Sequence, residues 1–83
     1  MEIETEYTLH YADLGPAAKP LDLVPFIVAF QDAADIDPRV SSYDFDEIEN
    51  NDQELVAYRI SLKGTISAKD LTDEVYELKH GKW

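Results

Sequence analysis

Residues 2–11 alternate without a break, with Ile3, Thr5, Tyr7, Leu9 and Tyr11 on one side and Glu2, Glu4, Glu6, Thr8 and His10 on the other. A period of two sends successive side chains to opposite faces of a strand, so this run predicts a half-buried strand whose wet face is acidic. From Asp22 the period changes. Leu23, Phe26, Ile27, Phe30 and Ala34 fall at i, i+3, i+4, i+7 and i+11, one face of a helix. Between the two lies a loop over residues 12–20, marked by Gly15-Pro16 and Pro20.

The helix has legible ends. Asp22 is a natural N-cap, and Pro25 is tolerated in the first turn, where its missing N–H has no helical partner. Asp37-Pro38 stops the helix, because the residue before proline avoids the helical region. Gln31, Asp32 and Asp35 occupy the opposite, solvated side. A second strand is predicted over Val40–Ile48, with Tyr43 and Phe45 facing the core. The turn cluster Glu49-Asn50-Asn51-Asp52 follows. The third strand, Leu55–Ile66, points Val56, Tyr58, Ile60 and Leu62 one way and Ala57, Arg59, Ser61 and Lys63 the other, with Gly64 at a bulge or at its end. These two runs predict an antiparallel hairpin with a loop of four or five residues. Ser67-Ala68-Lys69-Asp70 opens a second helix, on which Leu71, Val75 and Leu78 repeat at i, i+4, i+7. Gly81 is placed to close it, after a last turn carrying Lys79 and His80.

The prediction is therefore one α+β domain spanning residues 1–83: a three-stranded, mostly antiparallel sheet with two helices packed on one face, in the order β-α-β-β-α. Its expected core is Ile3, Tyr7, Leu9, Phe26, Ile27, Phe30, Val56, Tyr58, Ile60, Leu71, Val75 and Leu78. A chain of 83 residues buries about 60% of its extended surface, enough for one modest core without staples. Trp83 is expected to tuck against Tyr76 or the sheet edge, with an interface anchor as the alternative.

Charge points to partners. Residues 32–54 carry nine carboxylates (Asp32, Asp35, Asp37, Asp44, Asp46, Glu47, Glu49, Asp52 and Glu54) against Arg39 alone, a net −8. The preceding residues carry −4 and the last 29 carry +1, within a whole-chain charge of −11. Asp32, Asp35 and Asp37 crowd the negative end of the first helix, where acids are unfavourable by about a few tenths of a kcal/mol each. A sequence written for stability alone would place Lys or Arg there.

Several function classes find no support. There are no cysteines, which excludes disulfides, thiolate metal sites and Cys nucleophiles. His10 and His80 are isolated, so no nucleophile–base pair is legible, and no Gly-rich phosphate loop, HExxH or CxxC occurs. Asp44-Phe45-Asp46 opens like a calcium loop, but Ile48 and Glu49 stand where that loop needs a ligand and a glycine. Paired carboxylates can run glycosidase chemistry, but that needs a cleft, for which so small a core leaves little room. No catalytic residue, metal or cofactor is expected. Residues 1–7 are acidic and alternating, unlike a signal peptide, and Leu23–Phe30 is too short to span a bilayer. An acidic surface is repelled by anionic lipid and by phosphate, so neither membrane nor direct nucleic-acid binding is expected, and a cytoplasmic location is.

Three functions fit this charge. The first is a non-catalytic inhibitor whose acids imitate nucleic acid and block the basic nucleic-acid-binding surface of a target protein. Same-face residues on a strand recur every ~6.6 Å, close to the spacing of successive phosphates. Glu2, Glu4 and Glu6 would form one such row, Asp44 and Asp46 would start another, and the remaining acids of residues 32–54 would extend the patch. In size and charge the chain resembles small acidic phage proteins that disarm host nucleases, CRISPR complexes or repair enzymes, which implies an anti-defence or anti-CRISPR role. The second is an immunity protein or antitoxin that neutralises a basic nuclease toxin. The third is a generic acidic domain from a high-salt organism, against which the uneven distribution of charge counts.

Overall fold

The computed structural model describes residues 1–80, in the order β1 (Ile3–His10), α1 (Leu23–Ile36), β2 (Val40–Glu49), β3 (Leu55–Gly64) and α2 (Ala68–His80). The expected Gly81 cap and the contacts of Trp83 lie outside the described residues. The three strands form one antiparallel sheet in the order β1-β3-β2, so the last strand in sequence is the central one. Both helices pack on the same face of this sheet, as the period pattern predicts.

The central strand carries the core. Tyr58, Ile60 and Leu62 point toward the helices and are 9%, 0% and 2% exposed. Ile60 lies between Tyr7 on β1 and Phe45 on β2. Against this row α1 buries Leu23, Phe26, Ile27, Phe30 and Ala34, and α2 buries Ala68, Leu71 and Val75. Phe30 meets Phe45 edge to face, with ring centroids 5.7 Å apart, the arrangement favoured by the aromatic quadrupole.

Backbone groups at element ends are satisfied locally. Ser67 Oγ accepts the Asp70 N–H at 3.1 Å, the expected cap of α2, and Thr5 Oγ1 accepts the Ala68 N–H at 2.8 Å, tying the same helix end to β1. Thr72 is buried, and its hydroxyl donates to the Ala68 carbonyl at 2.7 Å. The β2–β3 loop, residues 50–54, is organised by Asn50. Its Oδ1 accepts the N–H groups of Asp52 (2.8 Å) and Glu54 (3.1 Å), and Gln53 takes the left-handed conformation at φ 61°.

Several expectations need correction. Asp22 does not cap α1: it closes a 3₁₀ turn over Pro20–Asp22 that runs straight into the helix, and its carboxylate accepts the Lys19 N–H at 2.7 Å. Ile3 is 46% exposed, because its partner on β3 is Gly64, which offers no side chain to pack against. Leu78 is 61% exposed while Thr72 is buried. The inward face of α2 is centred between Leu71 and Thr72, which leaves Leu78 about 70° away at 100° per residue. Val56 is only half-buried, beside a bulge where β2 passes from Ile48 to Glu49. Ala57, expected to point outward, is buried between the register positions of His10 and Ile48.

Candidate functional site

The face of the sheet away from the helices is solvent-exposed, and the register places its charges. On β1, Glu4 and Glu6 stand opposite Lys63 and Ser61 of β3; on β2, Asp44 and Asp46 stand opposite Ser61 and Arg59. Two rows of carboxylates therefore flank the central strand. Along each row the acids recur every ~6.6 Å, and strand spacing sets the rows roughly 10 Å apart. Glu6, Ser61 and Asp44 are level across the sheet, and an open trough runs there, lined by Glu4, Glu6, Ser42, Asp44, Ser61 and Lys63 among others. Glu2 precedes β1 and is exposed.

The bases of β3 lie between the rows. Arg59 Nη2 reaches Asp46 Oδ2 at 3.1 Å, an exposed pair whose charges largely offset each other at that level. Asp44 Oδ1 accepts the N–H of Phe45 at 2.9 Å. Among the described residues Glu2, Glu4, Glu6 and Asp44 are in no ion pair. Level by level the face reads Glu4, Lys63 and Ser42, then Glu6, Ser61 and Asp44, then Thr8, Arg59 and Asp46, so each base has an acid on one side only and the uncompensated negative charge is concentrated at Glu6 and Asp44. Residues 55–63 show Arg59 and Lys63 pointing outward, but nothing local says that strands bearing acids lie on both sides of them.

The remaining acids go elsewhere. Glu47 follows Tyr43 and Phe45 on the helix side of β2, opposite Tyr58, whose hydroxyl pKa is pushed up by burial and then by the Glu47 charge. Glu49, Asp52 and Glu54 are exposed around the hairpin loop. Asp32 and Asp35 are exposed on α1, in the layer opposite the carboxylate rows. Asp35 Oδ1 accepts a short hydrogen bond, 2.5 Å, from the Tyr43 hydroxyl, and this bond is the main cause of a raised Tyr43 pKa. The acidic stretch 32–54 is therefore split between two surfaces and a loop, because the chain passes from helix to sheet within it.

Asp37 is committed to the fold. Arg39 grips it through Nε (3.0 Å) and Nη2 (2.8 Å), while the Arg39 backbone N–H donates to the same carboxylate at 2.9 Å. Nη2 also reaches Glu74 Oε1 at 3.0 Å, joining the end of α1 to α2. The Asp37 side chain is 12% exposed. The Arg39 hydrogen bond holds its carboxyl below the usual range, against the opposing effect of burial. A depressed carboxylate pKa contributes stability above the unfolded-state value of about 3.9 and loses it as pH falls toward the folded one. Asp37→Asn should therefore be less stable than wild type at pH 7, with the gap closing in denaturation curves recorded below about pH 4. A gap that stays constant from pH 7 to pH 2 would remove Asp37 from this role.

No helix among the described residues is long and apolar enough to cross a membrane. Comparison with models of protein families, with curated proteins and with solved structures finds no match to this chain.

Proposed function

We propose that this chain is a binding protein without chemistry of its own, which occupies the basic nucleic-acid-binding surface of a target protein and blocks it. The observation that supports this most is the pair of carboxylate rows, Glu4 and Glu6 on β1 and Asp44 and Asp46 on β2, held at strand spacing on an exposed sheet face. A protein that grips phosphates with Lys and Arg gains affinity by releasing counterions, and a rigid acidic lattice offers it the same exchange. The rows sit on paired β-strands, so their spacing is fixed before binding and little ordering entropy is lost. Immunity to a basic nuclease toxin uses the same surface and differs only in the target.

The test is affinity capture from nuclease-treated lysate at low and high salt. A basic nucleic-acid-binding protein should be retained, eluted by salt and displaced by added DNA or RNA. A nuclease toxin on the column, inhibited in its active site, would instead identify an immunity protein. Retention of nothing at either salt would mean that the charge serves solvation, and the inhibitor function should then be dropped.

A further inference from the structure

The sheet face carries the charge, but the helix layer carries an apolar surface that the fold does not use. Leu21 is 80% exposed, Val24 46%, Val28 51% and Ile36 85%. Four of the seven exposed large hydrophobic residues among the described residues thus lie on α1 or in the turn that leads into it. A helix with one buried face ordinarily carries polar residues on the other. Here Leu23, Phe26, Ile27, Phe30 and Ala34 already fill the buried side, while Val24, Val28 and Ile36 face water. Valine is a poor choice at an exposed helical position, where Ala, Glu or Lys would favour the helix. Local stability therefore does not account for Val24 and Val28.

The acids beside this stripe indicate what covers it. Asp32 and Asp35 follow Val28 on the same solvent side, at the negative end of the helix dipole, and no Lys or Arg lies between Leu21 and Ile36. A second copy would bring −11 against −11 and would gain nothing from these acids. A basic segment would be favoured at the rim and covered at its apolar centre, the usual anatomy of a tight interface. We propose that the solvent face of α1, with Leu21, Val24, Val28 and Ile36 beside Asp32 and Asp35, docks an amphipathic basic helix of the partner protein. This rests on the proposed function above and adds to it an apolar anchor that imitation of phosphate does not supply.

The test uses two probes on the isotope-labelled full chain: a 14-residue amphipathic helix of leucine and lysine, and an oligolysine of equal charge. The Leu/Lys helix should shift the amide resonances of Val24, Val28 and Asp32, and oligolysine those of Glu4, Glu6 and Asp44. Val24→Asp/Val28→Asp should weaken the Leu/Lys helix by at least about tenfold although it adds negative charge, and should leave oligolysine bound. Val24→Ser/Val28→Ser, with a circular dichroism spectrum unchanged, should weaken it similarly. Equal or tighter binding by the aspartate variant would overturn the proposal, because attraction by charge alone predicts that result. Leu/Lys shifts confined to the sheet would overturn it too. So would a dimer in sedimentation equilibrium that strengthens with salt and is lost in either variant, which assigns the stripe to a second copy. If oligolysine leaves the sheet resonances unmoved while the Leu/Lys helix still docks on α1, it is the proposed function that fails.

Discussion

Gly64→Ala should lower the free energy of unfolding by about 3 kcal/mol, the upper end for overpacking, out of a total of roughly 4–12 kcal/mol for a chain of this length. A Cβ built on Gly64 lies 2.0 Å from the Arg39 carbonyl oxygen, 3.0 Å from its carbon and 3.1 Å from Val40 Cα. All three atoms are backbone, so no side chain can swing away. Gly64 is where the sheet closes, paired with Ile3 on one side and Val40 on the other. The Arg39 carbonyl is pinned there by the Thr65 N–H at 2.8 Å. The residue is further held by its grip on Asp37 and Glu74. Relieving the overlap must break one of these restraints. Urea denaturation of wild type and variant measures the effect, and the melting temperature should fall by roughly 12–24 °C. Gly15→Ala is the useful contrast. Gly15 has φ 139° and ψ 166° and nothing within 4 Å of its absent Cβ, so its substitution meets no atom and costs conformational strain alone, about 1–3 kcal/mol in a region that essentially only glycine adopts. A Gly64→Ala loss below about 1 kcal/mol would show that the strand end gives way easily.

Gly64 also marks where the sequence stops being informative. Its position at a strand end is legible from the run Leu55–Ile66, but the atom that demands glycine belongs to Arg39, 25 residues earlier. The same division holds across the molecule. Strand β1, helix α1, the β2–β3 hairpin and the Ser67 cap are all written in local periods and turn residues, and the structure has each of them. What depends on distant pairing is not local. The central place of β3 follows from β1 joining it across some fifty residues, and only that pairing sets Arg59 and Lys63 between two rows of acids. Asp22 is a good cap by residue type, yet Pro20 starts a turn that recruits its carboxylate first. Of the acids, Asp37 reads as one more charge in a run until the fork of Arg39 assigns it to the fold. The exposure of Val24 and Val28 could have been anticipated, since five residues already complete the buried face of α1.

Reversing two charges level with each other on the sheet, Glu6→Lys/Asp44→Lys, should weaken binding to the captured target by about a hundredfold or more. Close charge pairs at interfaces couple by about 1.5 kcal/mol or more, and reversal replaces each attraction with repulsion. Both side chains are exposed, flank Ser61 and are in no ion pair among the described residues. Their loss therefore leaves no buried charge behind, and the fold should change by less than about 1 kcal/mol. Net charge alone could mimic such a result, because the double reversal moves the whole molecule by +4. Asp70→Lys/Glu77→Lys makes the same change on α2, away from the sheet face. If the rows are the contact, the α2 variant loses only long-range steering, a modest slowing of association that salt erases. The sheet variant loses contacts themselves, so its dissociation should quicken and the dependence of its affinity on salt should become shallower. Titration calorimetry at two salt concentrations separates these cases. Equal weakening by both variants would reduce the acidic face to a source of field, and an unchanged affinity for Glu6→Lys/Asp44→Lys would take the carboxylate rows out of the interface.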